Sequence, residues 1–223
     1  MNSKTVTIIG ATGLIGSNLL ELLQSDPEIS SIKVLVRRPV EYNNPKISTI
    51  VIDFSDYESF KSEIINSEIV FCAVGTTNRK VKGDKEEYKK NDYDIPVNAA
   101  RFCSETGCSQ FVFVSSAGAD SKSKNFYLKF KGSVEDAICR MNIPTVLIFR
   151  PSLLLGKRQE FRLGELIGKI LIKSVSFLLP LQMKPIRAHD VAKAMLEAAR
   201  KGLKGNIVFH YKEMKQLIQG DYN

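Results

Sequence analysis

The chain has 223 residues, of which 43% are hydrophobic and 25% are charged. This length and composition are typical of one globular domain and exclude a mainly disordered or fibrous protein. The net charge of +8 favours anionic ligands. The basic residues are spread along the chain and form no nucleic-acid-binding motif, so we expect no nucleic-acid partner.

The cysteines and histidines show no metal-binding pattern. The 4 cysteines include no CxxC pair, and only 2 histidines are present. The first residues lack the basic and apolar segments of a secretory signal. We therefore expect no metal, reduced thiols and a cytoplasmic protein.

Short β-branched segments alternate with helical patterns along the chain. Apolar runs with little polar alternation are typical of strands that helices cover on both faces. The sequence therefore predicts an α/β fold with a doubly wound, mostly parallel sheet in one domain that spans residues 1–223. The predicted strands are Thr5–Ile9, Ile32–Val36, Ser48–Ile52, Glu68–Val74, Gln110–Val114, Thr145–Phe149 and Asn206–Phe209.

The alternation of strand and helix patterns changes near Pro151. An apolar helical stretch over residues 162–179 is followed by a helix over Ala188–Arg200, a last strand and a last helix. Charged side chains interrupt the apolar stretch, so no uncharged run reaches the ~20 residues that a bilayer span requires. We expect residues 151–223 to supply a small substrate-covering region without a membrane-spanning segment. An apolar substrate pocket is favoured over a helix that lies on a membrane surface.

The first predicted strand ends in a glycine-rich turn that runs directly into an amphipathic helical pattern. Gly10 permits a sharp turn, Gly13 lets the backbone approach a pyrophosphate, and Gly16 allows the helix to pack closely on the strand. A diphosphate would then lie at the helix N-terminus. A purely structural strand-to-helix connection is the alternative. The turn predicts a dinucleotide site made by Gly10, Thr12, Gly13, Leu14, Ile15 and Gly16.

Three further strand ends carry candidate cofactor ligands. Arg37 and Arg38 follow the second strand, where an NAD-selective site has an acid for the ribose 2′-hydroxyl. Arginine suits a 2′-phosphate, so we predict NADP(H) in preference to NAD(H), with a solvated basic loop as the alternative. Asp53, with Phe54 beside it, is placed to meet the adenine amino group. The loop beneath the cofactor comprises Ala73, Val74, Gly75 and Thr76.

A Tyr-x-x-x-Lys pattern occurs at four places, so position must identify a catalytic pair. Tyr127 lies on a helix that follows the strand ending in Ser115 and Ser116, and Lys131 lies one turn later. The phenol can protonate the alkoxide formed by hydride transfer to a carbonyl, and a nearby ammonium favours the phenolate. Ser116 would hold the substrate oxygen, with Ser115 as the alternative. The other three pairs, which lie in less suitable positions, are Tyr42 with Lys46, Tyr57 with Lys61, and Tyr211 with Lys215.

Four features resemble the short-chain dehydrogenase/reductase superfamily. They are the glycine turn, the serine pair Ser115 and Ser116, Tyr127 with Lys131, and the segment Phe149-Arg150-Pro151-Ser152. Among its atypical members they are most similar to the Tat-interacting-protein oxidoreductase-like group. The resemblance implies a Rossmann fold, NADP(H) at the glycine turn, and a catalytic site of Ser116, Tyr127 and Lys131, with Lys131 also on the cofactor. It places Pro151 and Ser152 near the nicotinamide carboxamide. It also implies a proton-relay asparagine, for which Asn91 is the nearest match.

The leading hypothesis is an NADP(H)-dependent oxidoreductase that acts on a small carbonyl or alcohol substrate. The alternative is a non-catalytic module that senses NADP(H) or binds a protein, because a fold can persist where an activity is lost. Epimerase chemistry on a nucleotide sugar ranks last, because the region after Pro151 is short for such a substrate domain. A monomer and a homodimer are both compatible with the sequence.

Overall fold

The structure is a computed structural model that describes residues 3–75, 85–155 and 183–222. The strands are β1 (Lys4–Ile9), β2 (Ile29–Val36), β3 (Ile47–Val51), β4 (Ile69–Cys72), β5 (Gln110–Val114), β6 (Thr145–Phe149), β7 (Leu154–Leu155), β8 (Ile186–Arg187) and β9 (Gly205–Phe209). The helices are α1 (Leu14–Gln24), α2 (Tyr57–Ile64), α3 (Lys85–Lys89), α4 (Ile95–Thr106), α5 (Phe126–Cys139), α6 (Ala188–Arg200) and α7 (Tyr211–Gln219).

Seven strands form one sheet in the order β3-β2-β1-β4-β5-β6-β9, and every neighbouring pair is parallel. β4 and β6 are buried at every position, as expected for strands that are covered on both faces. One apolar core packs this sheet against α1, α6 and α7, and a second packs it against α2, α4 and α5. The predicted doubly wound α/β fold is confirmed.

The first strand lies inside the sheet, between β2 and β4, where the order of the strands reverses. Val6 is in register with Ile32 of β2 on one side and with Ile69 of β4 on the other. In open α/β sheets, ligands bind beyond the carboxyl ends of the strands at such a reversal. We therefore expect a ligand site beyond the ends of β1 and β4, where Gly10 and Ala73 follow.

Some elements differ from the sequence predictions. β2 begins three residues earlier than predicted, because Ile29 is buried and pairs with Lys4 of β1. β7 and β8 form an additional parallel pair of two residues each. A π-helical turn over Lys90–Asp94 joins α3 to α4.

The C-terminal segment completes the main sheet, because β9 pairs with β6 along its whole length. The predicted apolar helix over residues 162–179 lies outside the described residues. None of the helices in the described ranges is both long and apolar enough to cross a membrane.

Candidate functional site

The glycine-rich turn adopts a conformation that side chains would prevent. Gly10 has a φ of 89°, and a Cβ atom there would lie 2.8 Å from the Ala73 backbone. A Cβ atom on Gly16 would lie 2.1 Å from the Gly10 carbonyl oxygen. Gly13 donates its N–H to that same oxygen at 3.0 Å and is the N-cap of α1, which has no side-chain cap. The first N–H groups of α1 are thus available to an anion, so the turn fits a diphosphate.

A cleft of about 750 Å³ opens above this turn, within the range of ligand sites. Leu14, Ile15 and Gly16 do not line the cleft, and Ile15 and Gly16 are buried beneath the turn. Thr76 lies outside the described residues. The predicted cofactor residues that line the cleft are Gly10, Thr12, Gly13, Arg37, Arg38, Phe54, Ala73, Val74 and Gly75.

The two arginines after β2 are exposed at one side of the cleft. Arg37 donates from Nη1 to Oδ1 of Asn91 at 2.8 Å. The Asn91 amide nitrogen donates to the carbonyl oxygen of Glu87 at 2.9 Å. Asn91 therefore lines the cleft and orients Arg37. The next residue, Asp92, contacts Lys131 instead.

Asp53 lines an adjoining cleft of about 730 Å³ that shares Arg37 and Phe54 with the first. Its Oδ1 accepts hydrogen bonds from the Ser55 backbone at 2.9 Å and from the Ser55 hydroxyl at 2.7 Å. These two bonds lower the pKa of the Asp53 carboxyl below its usual range. Asp53 is thus a fixed anionic acceptor at the end of β3.

Tyr127 and Lys131 lie one turn apart at the start of α5, whose N-cap Asn125 accepts a hydrogen bond from the Leu128 N–H at 3.1 Å. Tyr127 is half-buried and Lys131 is buried, and neither of them lines the cleft. The Lys131 ammonium lies 3.3 Å from Oδ1 of Asp92. It also lies 5.7 Å from the centre of the Phe113 ring, near the end of β5.

The two candidate serines have different surroundings. Ser115 is buried and donates its hydroxyl to the Glu135 carboxylate. Arg150 holds that carboxylate from Nε at 3.0 and 3.2 Å. Ser116 is half-buried, and within the described ranges its hydroxyl makes only a long 3.5 Å contact with the Ala117 carbonyl oxygen. Ser116 is therefore the serine whose hydroxyl remains available to a ligand.

The loop between β5 and α5 is held close to the helix. A Cβ atom on Gly132 would lie 2.2 Å from the Ser121 backbone nitrogen, so glycine permits this approach. The Ala117 N–H donates to the Pro151 carbonyl oxygen at 2.9 Å. Pro151 is buried, and the Ser152 hydroxyl donates to the carbonyl oxygen of Lys184. These two residues brace the loop and do not line the cleft.

Sequence reasoning missed Asp92, Glu135 and Tyr88. Glu135 follows Lys131 by one helical turn, so its place on the inner face of α5 could have been noticed. Tyr88 is 3% exposed, and its hydroxyl has no hydrogen-bond partner among the described residues. Burial raises the pKa of the Tyr88 phenol, and the negative charge of Asp92 raises it further.

Comparisons with known proteins agree with this geometry. A family model described as NAD(P)H-binding matches residues 10–157. Protein FMP52, mitochondrial, from Candida albicans is 36% identical over 96% of this chain and 94% of its own. Protein HTATIP2 from Rattus norvegicus is 31% identical over 76% of this chain and 70% of its own. A UDP-N-acetylglucosamine 4-epimerase from Methanobrevibacter ruminantium M1 has the same fold, with a TM-score of 0.72, 16% identity, and coverage of 98% of this chain and 81% of that chain.

These relatives correct one expectation from the sequence. A cytoplasmic location is wrong, because the FMP52 relatives at 33–36% identity are named mitochondrial proteins. The absence of a secretory signal does not distinguish the cytosol from mitochondria. The glycine turn, the parallel sheet and the family match all lead to the same conclusion: the chain belongs to the NAD(P)H-binding family of short-chain dehydrogenase/reductase-type Rossmann proteins, with FMP52 and HTATIP2 among its relatives.

Proposed function

We propose that the protein is an NADP(H)-dependent oxidoreductase that acts on a small carbonyl or alcohol substrate. The observation that carries this proposal is the arrangement around one cleft. The glycine turn and the two arginines line the cleft. Lys131 of α5 lies 5.7 Å from the centre of the Phe113 ring, near the carboxyl end of β5, and Tyr127 precedes it by one turn of the same helix. This arrangement supports a cofactor site with an acid–base group close to it.

The preference for NADP(H) rests on the residues that follow β2. Val36 is followed by Arg37 and Arg38, so the position that would bind a ribose 2′-hydroxyl carries positive charge and no carboxylate. Asn91 orients Arg37 through a 2.8 Å hydrogen bond. A guanidinium group suits a phosphate because it presents several donors in one plane.

Each catalytic side chain has a distinct role in the proposed reaction. Bound nicotinamide would supply the hydride, or accept it in the reverse direction. Tyr127 donates a proton to the substrate oxygen as that oxygen gains negative charge, and takes it back in the reverse direction. Lys131, on the same face of α5, favours the phenolate that remains. The Ser116 hydroxyl holds the substrate oxygen in place, while Ser115 stays bonded to Glu135.

Calorimetric titration of the wild-type protein and of Arg38→Ala with NADPH and NADH tests the cofactor assignment. We expect tighter binding of NADPH than of NADH. Arg38→Ala should weaken NADPH binding by about tenfold or more and leave NADH binding nearly unchanged, because the lost contact is to phosphate. Arg140→Ala, which removes an exposed arginine at the end of α5, is the control for net charge. Equal affinity for the two cofactors in the wild-type protein would contradict the preference for NADP(H).

The same preparation then allows a test of catalysis with a panel of aldehydes and ketones. We expect Tyr127→Phe to retain NADPH affinity and to lose turnover by about 10²–10⁴-fold, the usual contribution of a general acid. Full turnover by Tyr127→Phe would contradict the mechanism. Tight NADPH binding without turnover on any carbonyl would instead support an NADP(H)-sensing module.

We also propose a mitochondrial location, on the basis of the names of the FMP52 relatives. The tagged protein should sediment with a mitochondrial matrix or membrane marker in cell fractionation. Recovery with a cytosolic marker alone would contradict this location.

A further inference from the structure

We propose that Asp92 is a positioning residue that fixes the ammonium group of Lys131 at the cofactor site. Its Oδ1 lies 3.3 Å from the Lys131 nitrogen, and the two side chains are 0% and 3% exposed. The inference rests on the proposed NADP(H) function, because it concerns the lysine that would contact the cofactor and act on Tyr127.

The position of this ion pair in the fold argues for a role at the site. Lys131 lies 5.7 Å from the centre of the Phe113 ring, so the pair is close to the carboxyl end of β5. Burial raises the pKa of the Cys72 thiol at the end of β4 to about 12, and the charges of Lys131 and Asp92 act on that pKa in opposite directions, so the pair lies near this thiol. Ala73, the next residue, lines the cleft. The pair therefore lies beneath the cofactor cleft, where the ends of β4 and β5 meet.

The local backbone explains why Asp92, and not its neighbour, faces the lysine. Asp92 lies in the π-helical turn Lys90–Asp94, which contains one residue more than an α-helical turn. Asn91 points to Arg37 in the cleft, and Asp92 points to Lys131 on α5. One short segment thus orients a basic residue on the adenosine side of the site and another near the catalytic tyrosine.

Positioning and simple electrostatics predict opposite effects on cofactor affinity. NADPH is an anion, so loss of a nearby carboxylate should strengthen its binding if charge alone matters. If Asp92 positions Lys131, the same loss lets the ammonium leave its place, and binding should weaken. The sign of the change therefore distinguishes the two roles.

The experiment measures NADPH dissociation constants for the wild-type protein, Asp92→Asn, Asp92→Glu and Asp136→Asn. Asp136 is an exposed carboxylate on α5, so its loss gives the matched control for charge. We expect Asp92→Asn to weaken NADPH binding by about tenfold, the factor that a hydrogen bond to a charged group contributes. Asp92→Glu should recover part of the loss. Asp136→Asn should bind NADPH as well as the wild-type protein or slightly better.

A double-mutant cycle keeps the inference testable if Asp92→Asn folds poorly. In Lys131→Met, where no buried ammonium is left to position, the further change Asp92→Asn should not weaken NADPH binding again. Equal or tighter binding by folded Asp92→Asn would overturn the inference, as would a second, additive loss in the double variant. Wild-type binding by Lys131→Met would also overturn it, while the cofactor site itself would stand. No NADPH binding by the wild-type protein would reject the proposed function together with this inference.

Discussion

Tyr88 carries a buried phenol whose hydroxyl has no hydrogen-bond partner in the part of the chain that the structure describes. Its ring lies 4.6 Å from that of Phe130 and 6.3 Å from that of Phe126, centre to centre, so the ring itself is well packed. The hydroxyl, however, is without a hydrogen-bond partner among the described residues. A buried donor left in this way costs about 1–3 kcal/mol. The aromatic ring of Tyr88 therefore stabilises the contact with α5, while its hydroxyl opposes it.

We predict that Tyr88→Phe raises the free energy of unfolding by about 1–2 kcal/mol at pH 7, because the ring is kept and the unpaired donor is removed. The difference should grow above pH 10. The pKa of Tyr88 is raised in the folded protein from the usual 10.0, so alkaline conditions ionise this tyrosine first in the unfolded chain. The folded state of the wild-type protein loses stability there, and the variant has no such group.

Urea denaturation at pH 7 and at pH 10.5 measures both effects. Tyr57→Phe is the control, because Tyr57 is 48% exposed and its hydroxyl can be solvated. A Tyr88→Phe protein that is less stable than the wild type at pH 7 would show that the hydroxyl has a partner in solution.

The sequence predicted single side chains well where backbone chemistry dictates them. The roles of Gly10 and Gly16 follow from the absence of a Cβ atom, and the structure confirms that a Cβ atom would meet backbone at both positions. Asp92 could not be predicted in this way. Its role depends on the partner it meets across 39 residues of chain, and local patterns carry no information on such a partner.

At the scale of elements, α5 is joined to the sheet by a buried polar cluster. Glu135 of α5 accepts a hydrogen bond from Ser115 at the end of β5 and three from Arg150 at the end of β6. The Glu135 and Arg150 side chains are 6% and 23% exposed. If either Glu135 or Arg150 is removed, the other is left with an uncompensated charge. The cluster therefore stabilises the packing of α5 only while both side chains are present.

We predict that Glu135→Gln lowers the free energy of unfolding by about 3–5 kcal/mol, because it leaves the Arg150 guanidinium without its counter-ion. Chemical denaturation followed by circular dichroism measures the change. Asp136→Asn, at the next position and exposed, should change stability by less than about 0.5 kcal/mol. If the two variants were equally stable, the cluster would have no part in holding α5.

The π-helical turn is a feature that hydrophobic periodicity does not predict. Hydrophobic periodicity assumes 3.6 residues per turn, and the extra residue within Lys90–Asp94 shifts the faces of the helix that follows. The proton-relay prediction for Asn91 is one residue away from Asp92, which contacts Lys131. The short pair of β7 and β8 escaped prediction for a different reason. Two residues cannot show a strand period, and their partners come from distant parts of the chain.

At the scale of the whole molecule, the sheet was the most predictable feature. Uninterrupted apolar runs such as β4 and β6 indicate burial on both faces, which in turn requires helices on both sides of parallel strands. The cofactor cleft follows from this topology, because the turn after β1 and the loop after β4 meet at the reversal of strand order. The choice of substrate is not encoded in these features, since the fold positions the site without fixing what it accepts.

We predict that NADPH at 100 times its dissociation constant stabilises the protein by about 2.7 kcal/mol, because only the folded chain offers both sides of the cleft. For a chain of this size the melting temperature should rise by roughly 5–10 °C. Differential scanning fluorimetry over a series of NADPH concentrations measures this rise, and inosine, which has no phosphate, gives the baseline. A melting temperature that does not depend on NADPH would contradict binding at this cleft.

The position of β1 between β2 and β4 affects how the protein folds during synthesis. One side of β1 pairs with β2 as soon as residue 36 is available, but the other side needs β4, whose residues 69–72 follow much later. Translation at about 5–20 residues per second separates these events by roughly 2–7 s. During that interval the nascent chain displays an apolar strand with one open edge, the kind of surface on which aggregation begins and which chaperones cover. The strand that ends at the cofactor site is thus also a segment of the nascent chain that is prone to aggregation until β4 has been synthesised.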